Sequence, residues 1–181
     1  DYESVAATNE DVIYCSITGF GQDGPRSAYP SFDSIIQAAS GLMSLTGYPD
    51  RDPVRIGTTV IDYSTAANAA FAVSAAIRQR DRRGCGEHID IALFDVAVSL
   101  LSNWFSYYDH FGRTPNRAGT SMEGIYPSDA FSAAGEPFYM TVPHDGIFER
   151  LCEAIDRDDL LADHRFGTND ERWAHRGELY D

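Results

Sequence analysis

From Ala66 to Ile77 almost every side chain is small and apolar, whichever way a helix through it is turned. A helix with no polar face to give to water belongs inside a fold, closely packed on most sides. Arg78, Arg80, Arg82 and Arg83 close the run, where cations suit the negative end of the helix dipole. A phosphate contact is the alternative role for these arginines, and a solvated helix end the simpler one. Apolar extended runs lie on either side. Residues 11–18, Asp-Val-Ile-Tyr-Cys-Ser-Ile-Thr, read as a strand buried on both faces, as in a parallel sheet, and residues 88–93 as a second strand.

Around this centre the chain alternates. Residues 19–25 form a loop by their Gly and Pro content, and glycines directly after a buried strand let a ligand approach the backbone closely, which singles out Gly19, Phe20 and Gly21. The third glycine opens no helix and Pro25 interrupts, so this is no dinucleotide fingerprint. Residues 31–45 have helical periodicity with Gly41 inside, and a long amphipathic helix is predicted from Asp95 to about His110. Strand, helix, strand, helix predicts part of an α/β doubly wound unit. After Gly112 the composition shifts. Residues 113–124 are loop-like, 126–131 and 138–142 read as a hairpin, and helices follow at 146–155 and from Asn169, giving a second, smaller α+β region from about residue 118.

Charge excludes some functions. Twenty-eight acidic residues against 14 basic ones leave a net charge of −14, and every basic residue is Arg, so a nucleic-acid or anionic-membrane role is disfavoured. Asp outnumbers Glu about two to one, as on a salt-adapted surface; a GC-rich genome is the competing reason for Arg without Lys. No apolar run approaches the length that spans a bilayer, and Asp1-Tyr2-Glu3-Ser4 has neither a basic nor an apolar leader pattern. Cys15, Cys85 and Cys152 are far apart and odd in number, which indicates neither a disulfide framework nor a zinc site; a reducing cytoplasm is the expected compartment. The five histidines have no ligand spacing and no paired nucleophile, and read as structural or surface groups.

Asp62 stands where the extended stretch 53–61 gives way to the Ala-rich helix. An Asp at a helix start meets unpaired backbone N–H groups and the positive end of the dipole, which favour its ionised form. A held, ionised carboxylate beside a cavity can attack an acyl carbonyl. By itself the position also fits an ordinary N-cap.

Several blocks, in order, resemble the family III CoA-transferases, the group of the formyl-CoA and carnitine enzymes. They are Ile13-Tyr14-Cys15-Ser16-Ile17-Thr18-Gly19-Phe20-Gly21-Gln22, Phe32-Asp33 with Ile35-Ile36-Gln37-Ala38, Ser40 to Gly47, Pro53-Val54-Arg55-Ile56-Gly57 leading to Asp62, and Gly84 and Gly86 before His88-Ile89-Asp90. Asp145-Gly146, Leu151-Cys152, Arg165-Phe166 and Thr168-Asn169 continue the match. Two positions depart from the family pattern: Tyr29, where an Arg often precedes the matching Pro, and Ala66, where a Gly often follows the Thr.

The resemblance implies the middle of a longer protein. Residues 1–95 would be the end of a Rossmann-like doubly wound large domain, 96–117 a long helix and linker, and 118–181 an incomplete small α+β domain. It implies an interlocked homodimer with no permanently bound cofactor or metal, taking a coenzyme A thioester and a carboxylic acid as substrates. Asp62 would be the catalytic nucleophile, passing through an aspartyl anhydride and an aspartyl-CoA thioester. Arg55 and Arg26 are the in-chain candidates for the coenzyme phosphates, with Arg51 behind them, although Arg26 and Arg51 also read as solvated surface groups. The loop 117–124, with Gly119, is the candidate for substrate contacts and for N–H groups that hold an oxyanion. Phe32 takes the place of a His that moves protons in the racemases of the same fold; it cannot do so, and serves as an acyl-pocket wall or as core. An acyl-CoA isomerase and a non-catalytic CoA-binding piece remain the alternatives.

Overall fold

In the computed structural model, which describes residues 1–180, the first half of the chain alternates strand and helix. A short helix α1 (Tyr2–Ala6), capped by the Asp1 side chain, precedes strand β1 (Ile13–Thr18). Helix α2 (Asp33–Ala39) and a 3-10 turn (Leu42–Leu45) follow, then helix α3 (Val60–Arg83), strand β2 (Glu87–Ala92), and helices α4 (Leu93–Ser99) and α5 (Ser102–Phe111). The strands pair in parallel, Ile13 beside Glu87 through Thr18 beside Ala92, so the chain between them crosses over through α2 and α3. This is a mixed α/β arrangement, and parallel strands joined by a helical crossover are what the alternation demanded.

The 24-residue α3 corrects two expectations. It buries only Ile61, Thr65, Ala69 and Ala76, while Tyr63 and Phe71 are 71% and 76% exposed. The helix packs on β1, β2, α2 and α4, and Ala66, Ala67, Ala70 and Ala75 stay exposed. By length and composition it is also long and apolar enough to cross a bilayer, although no single apolar run in the sequence is. The stripe it lays on both strands accounts for one face of the helix and leaves much of that apolar content exposed.

Two further helices are shorter than the periodicity predicts. The 31–45 segment breaks where Gly41 takes φ 89°, a conformation that side-chain-bearing residues resist. The 95–110 segment breaks at Leu100 and Leu101. There the Ser99 hydroxyl donates to Val96 O at 2.7 Å and Leu101 N–H donates only three residues back, to Val98 O. A serine that competes for a helical carbonyl loosens the turn. The core of this unit is Ile36, Ile61 and Ala97, with Phe20, Leu42, Val60, Leu93 and Phe94 packed on it.

The chain divides into two compact units, residues 1–117 and from 118 onward. The second holds the hairpin β3 (Ser128–Ala133) and β4 (Glu136–Thr141), then helices α6 (Asp145–Ala154), α7 (Asp158–Ala162), α8 (Asn169–Ala174) and α9 (Arg176–Tyr180). The hairpin turns through Ala134 and Gly135 alone, with φ 53° and 85°, the geometry of a two-residue type I′ turn. Val142, Phe148, Cys152 and Phe166 form its core. Thr168 and Glu171 make a reciprocal capping box at the start of α8. Arg172 is fully buried. It donates to Tyr126 O and Phe166 O at 3.0 Å and to Asp145 Oδ1 at 2.7 Å, and its guanidinium lies 4.4 Å from the Phe148 ring centre.

Candidate active site

The stretch from Pro53 to Thr59 joins no helix or sheet and bends at Gly57 and Thr58, so its polar backbone needs other partners. Val54 N–H donates to Thr46 O at 3.2 Å, and Ile56 N–H to the buried Gln37 Oε1 at 2.9 Å. Helix α3 then opens at Val60. Thr59 holds the N-cap position, yet its side chain caps nothing. The capping group comes from α2: Asp33 Oδ2 accepts Ile61 N–H at 2.7 Å and Asp62 N–H at 3.2 Å. Asp62 is therefore the third residue of the helix rather than its cap. Its side chain is exposed and accepts no hydrogen bond from any described residue.

A cavity of about 410 Å³ opens beside it, lined by Ser31, Phe32, Asp33, Ser34, Arg55, Thr59, Asp62 and Leu93. Asp33 is consumed by backbone amides and Gln37, which leaves Asp62 as the free carboxylate in the lining and Arg55 as its cation. Arg55 spends one N–H on Ile56 O, at 3.0 Å. Phe32 is 72% exposed, a wall rather than core. The arrangement offers an unpaired carboxylate, one cation and one aromatic wall in a single hollow. That suits attack on an acyl group whose remainder carries negative charge.

The other candidates fall elsewhere. Gly19, Phe20, Gly21 and Arg26 do not line this cavity. A Cβ on Gly19 would sit 1.7 Å from Ser31 Oγ, so the glycine is what lets Ser31, a lining residue, pack against the end of β1. Phe20 packs against Phe94 at 5.7 Å, and the Arg26 guanidinium lies 5.8 Å over the Phe20 ring. Gly119 belongs to the second unit, with φ 64°. There Thr120 and Ser121 both donate to Asp129; burial opposes ionisation of that carboxyl, but these bonds and Ala130 N–H pull its pKa below the usual range. The loop is thus tethered to β3.

Sequence reasoning missed the roles of Asp33, Gln37 and Arg117. Arg117 fastens the 44–51 loop by donating to the carbonyls of Ser44, Tyr48 and Arg51. The signal for the first two was an i, i+4 pair of polar side chains on the same helix face as the apolar Ile36.

A family model described as CoA-transferase family III matches residues 1–181. The chain is 40% identical over 179 residues to a succinate–glutarate CoA-transferase of Agrobacterium fabrum, covering 99% of this chain and 45% of that protein. It is 40% identical over 167 residues to a succinyl-CoA:mesaconate CoA-transferase of Haloarcula hispanica, covering 90% of this chain and 42% of that one. A solved structure of a CAIB/BAIF family protein from Brucella suis superposes with a TM-score of 0.83 at 39% identity, over 99% of this chain and 48% of that one. The chain spans less than half the length of the relatives it matches. With a match along its whole sequence and a shared fold, it belongs to CoA-transferase family III.

Proposed function

We propose that the protein transfers coenzyme A from an acyl-CoA donor to a carboxylic acid, with Asp62 as nucleophile. The observation that carries this reading is the free Asp62 carboxylate in the first turn of α3, open to the cavity beside Arg55 and Phe32. Asp62 attacks the thioester carbonyl and expels CoA thiolate, leaving a mixed anhydride. The thiolate attacks the aspartyl carbonyl, which releases the donor acid and forms an aspartyl-CoA thioester. The acceptor carboxylate attacks that thioester and expels thiolate again. The thiolate then takes the acceptor acyl group and restores Asp62. Every step exchanges one activated acyl bond for another, and no water is consumed.

Arg55 serves the anionic substrate, through the coenzyme phosphates or a remote carboxylate. The names of the relatives favour dicarboxylic acids such as succinate, glutarate and mesaconate. Parallel β1 and β2, with α3 crossing between them, fit the end of a Rossmann-like large domain. An interlocked homodimer, a cytoplasmic location and a salt-adapted acidic surface belong to the same proposal. The racemase alternative lacks its proton-moving His, since Phe32 stands there.

The test is the full-length protein incubated with acetyl-, succinyl- and formyl-CoA, followed by peptide mass spectrometry. A CoA adduct or hydroxylamine trap at Asp62 is expected, absent in Asp62→Ala. Exchange of the α-hydrogen with deuterated water, without any adduct, would point to the isomerase instead.

A further inference from the structure

We infer that Asp33 and Gln37 are positioning residues for the nucleophile, holding the first turn of α3 from outside the helix; this rests on the reading of Asp62 given above. The pair sits one turn apart on α2, both side chains buried, Asp33 at 7% and Gln37 at 0% exposure. Asp33 Oδ2 takes the N–H groups of Ile61 and Asp62, and Oδ1 accepts Gln37 Nε2 at 2.5 Å. Gln37 in turn receives Ile56 N–H on Oε1. One pair of side chains thus fixes both the approach to the helix and the helix start.

A carboxylate at the third position of a helix can reach back to the N-cap amide, here that of Thr59. Asp62 does not: Asp33 caps the Ile61 and Asp62 amides from the neighbouring helix, and the Asp62 carboxylate stands without a partner in the cavity. An uncapped first turn frays, and a displacement of about 1 Å at a reacting group costs about 100-fold in rate. A brace from a neighbouring helix holds the turn while Asp62 is acylated and released.

The experiment uses the full-length enzyme with succinyl-CoA. Wild type is first examined for the Asp62 adduct, and its absence refutes the reading on which the inference stands. With the adduct present, Asp33→Ala, Asp33→Asn and Gln37→Ala are compared in kcat, KM and single-turnover adduct formation, each scaled to the folded fraction from circular dichroism. Asp33→Ala is expected to lower kcat and the adduct rate about 30- to 100-fold, with KM for succinyl-CoA within about 3-fold. Asp33→Asn, which keeps an oxygen for both amides, is expected to recover to within about 10-fold of wild type, and Gln37→Ala to lose about 5- to 10-fold. A folded Asp33→Ala enzyme with unchanged kcat, or losses that only track the folded fraction, overturns the inference. Should Asp33→Ala fail to fold, Gln37→Ala decides on the same terms.

Discussion

Each unit buries one charged side chain and uses it to satisfy backbone groups, yet the two end differently. In the second unit Arg172 donates to two carbonyls and meets the Asp145 carboxylate, so the buried charge finds its counter-charge and each guanidinium nitrogen has a partner. In the first, Asp33 is held by two amides and a glutamine and pairs with no cation among the described residues. Desolvating a charge is costly, and the two sites offset the cost differently, one with an ion pair and one with the amides and dipole of a helix start. The first solution takes up two of the helix-end amides, and a second carboxylate, Asp62, stands beside it without a hydrogen bond from a described residue. One buried charge closes a structure; the other braces a turn that carries an open carboxylate.

The sharpest way to break that contrast is at Asp62. Asp62→Asn is expected to lower kcat/KM by about 1,000-fold or more while shifting stability by less than about 0.5 kcal/mol. A large loss of stability would mean the side chain is structural after all. Arg172→Met should do the reverse. It leaves two buried carbonyls without their donor, for about 3 kcal/mol in urea denaturation, with activity lost only as folded protein is lost. Asp33→Ala falls between, with about 1–2 kcal/mol from the missing cap and a kcat loss beyond what that accounts for.

The smallest effect is at Asp163, where hydrogen bonds from Arg165 hold the carboxyl well below its usual range, at about 2 against 3.8. A depressed carboxyl pKa stabilises the fold above the unfolded value, and that contribution fades as pH falls from 3.8 towards 2. Denaturation curves of wild type and Asp163→Asn should therefore run a constant distance apart above about pH 4 and converge below it. Curves that stay parallel through the acid range would place the Asp163 interaction outside the folding equilibrium.

Much of the first unit was legible because its signals are local. Strands at 13–18 and 87–92 and the Ala-rich helix follow from runs of side chains, as does the place of Asp62 in the first turn of that helix, although the strands are half-buried rather than buried on both faces and Ile17 is exposed. What was not legible is non-local. The cap on α3 comes from a residue 28 and 29 positions away from the amides it accepts, so no window of sequence shows it. The helix breaks at Gly41 and Ser99 turn on single conformations that hydrophobic period does not resolve. Burial of α3 was overstated because a composition shows what a face prefers to touch, and only packing shows what touches it. In the second unit, Arg172 looked like any other arginine in an acidic chain; nothing around it in sequence marks it as the residue at the core.

The most direct measurement is mass spectrometry of the full-length protein after incubation with succinyl-CoA. A CoA adduct on the peptide holding Asp62, formed within the turnover time and missing from Asp62→Ala, is the expected result. Turnover with that residue unmodified, or an adduct on another carboxylate such as Asp33, would contradict the assignment of Asp62 as the nucleophile.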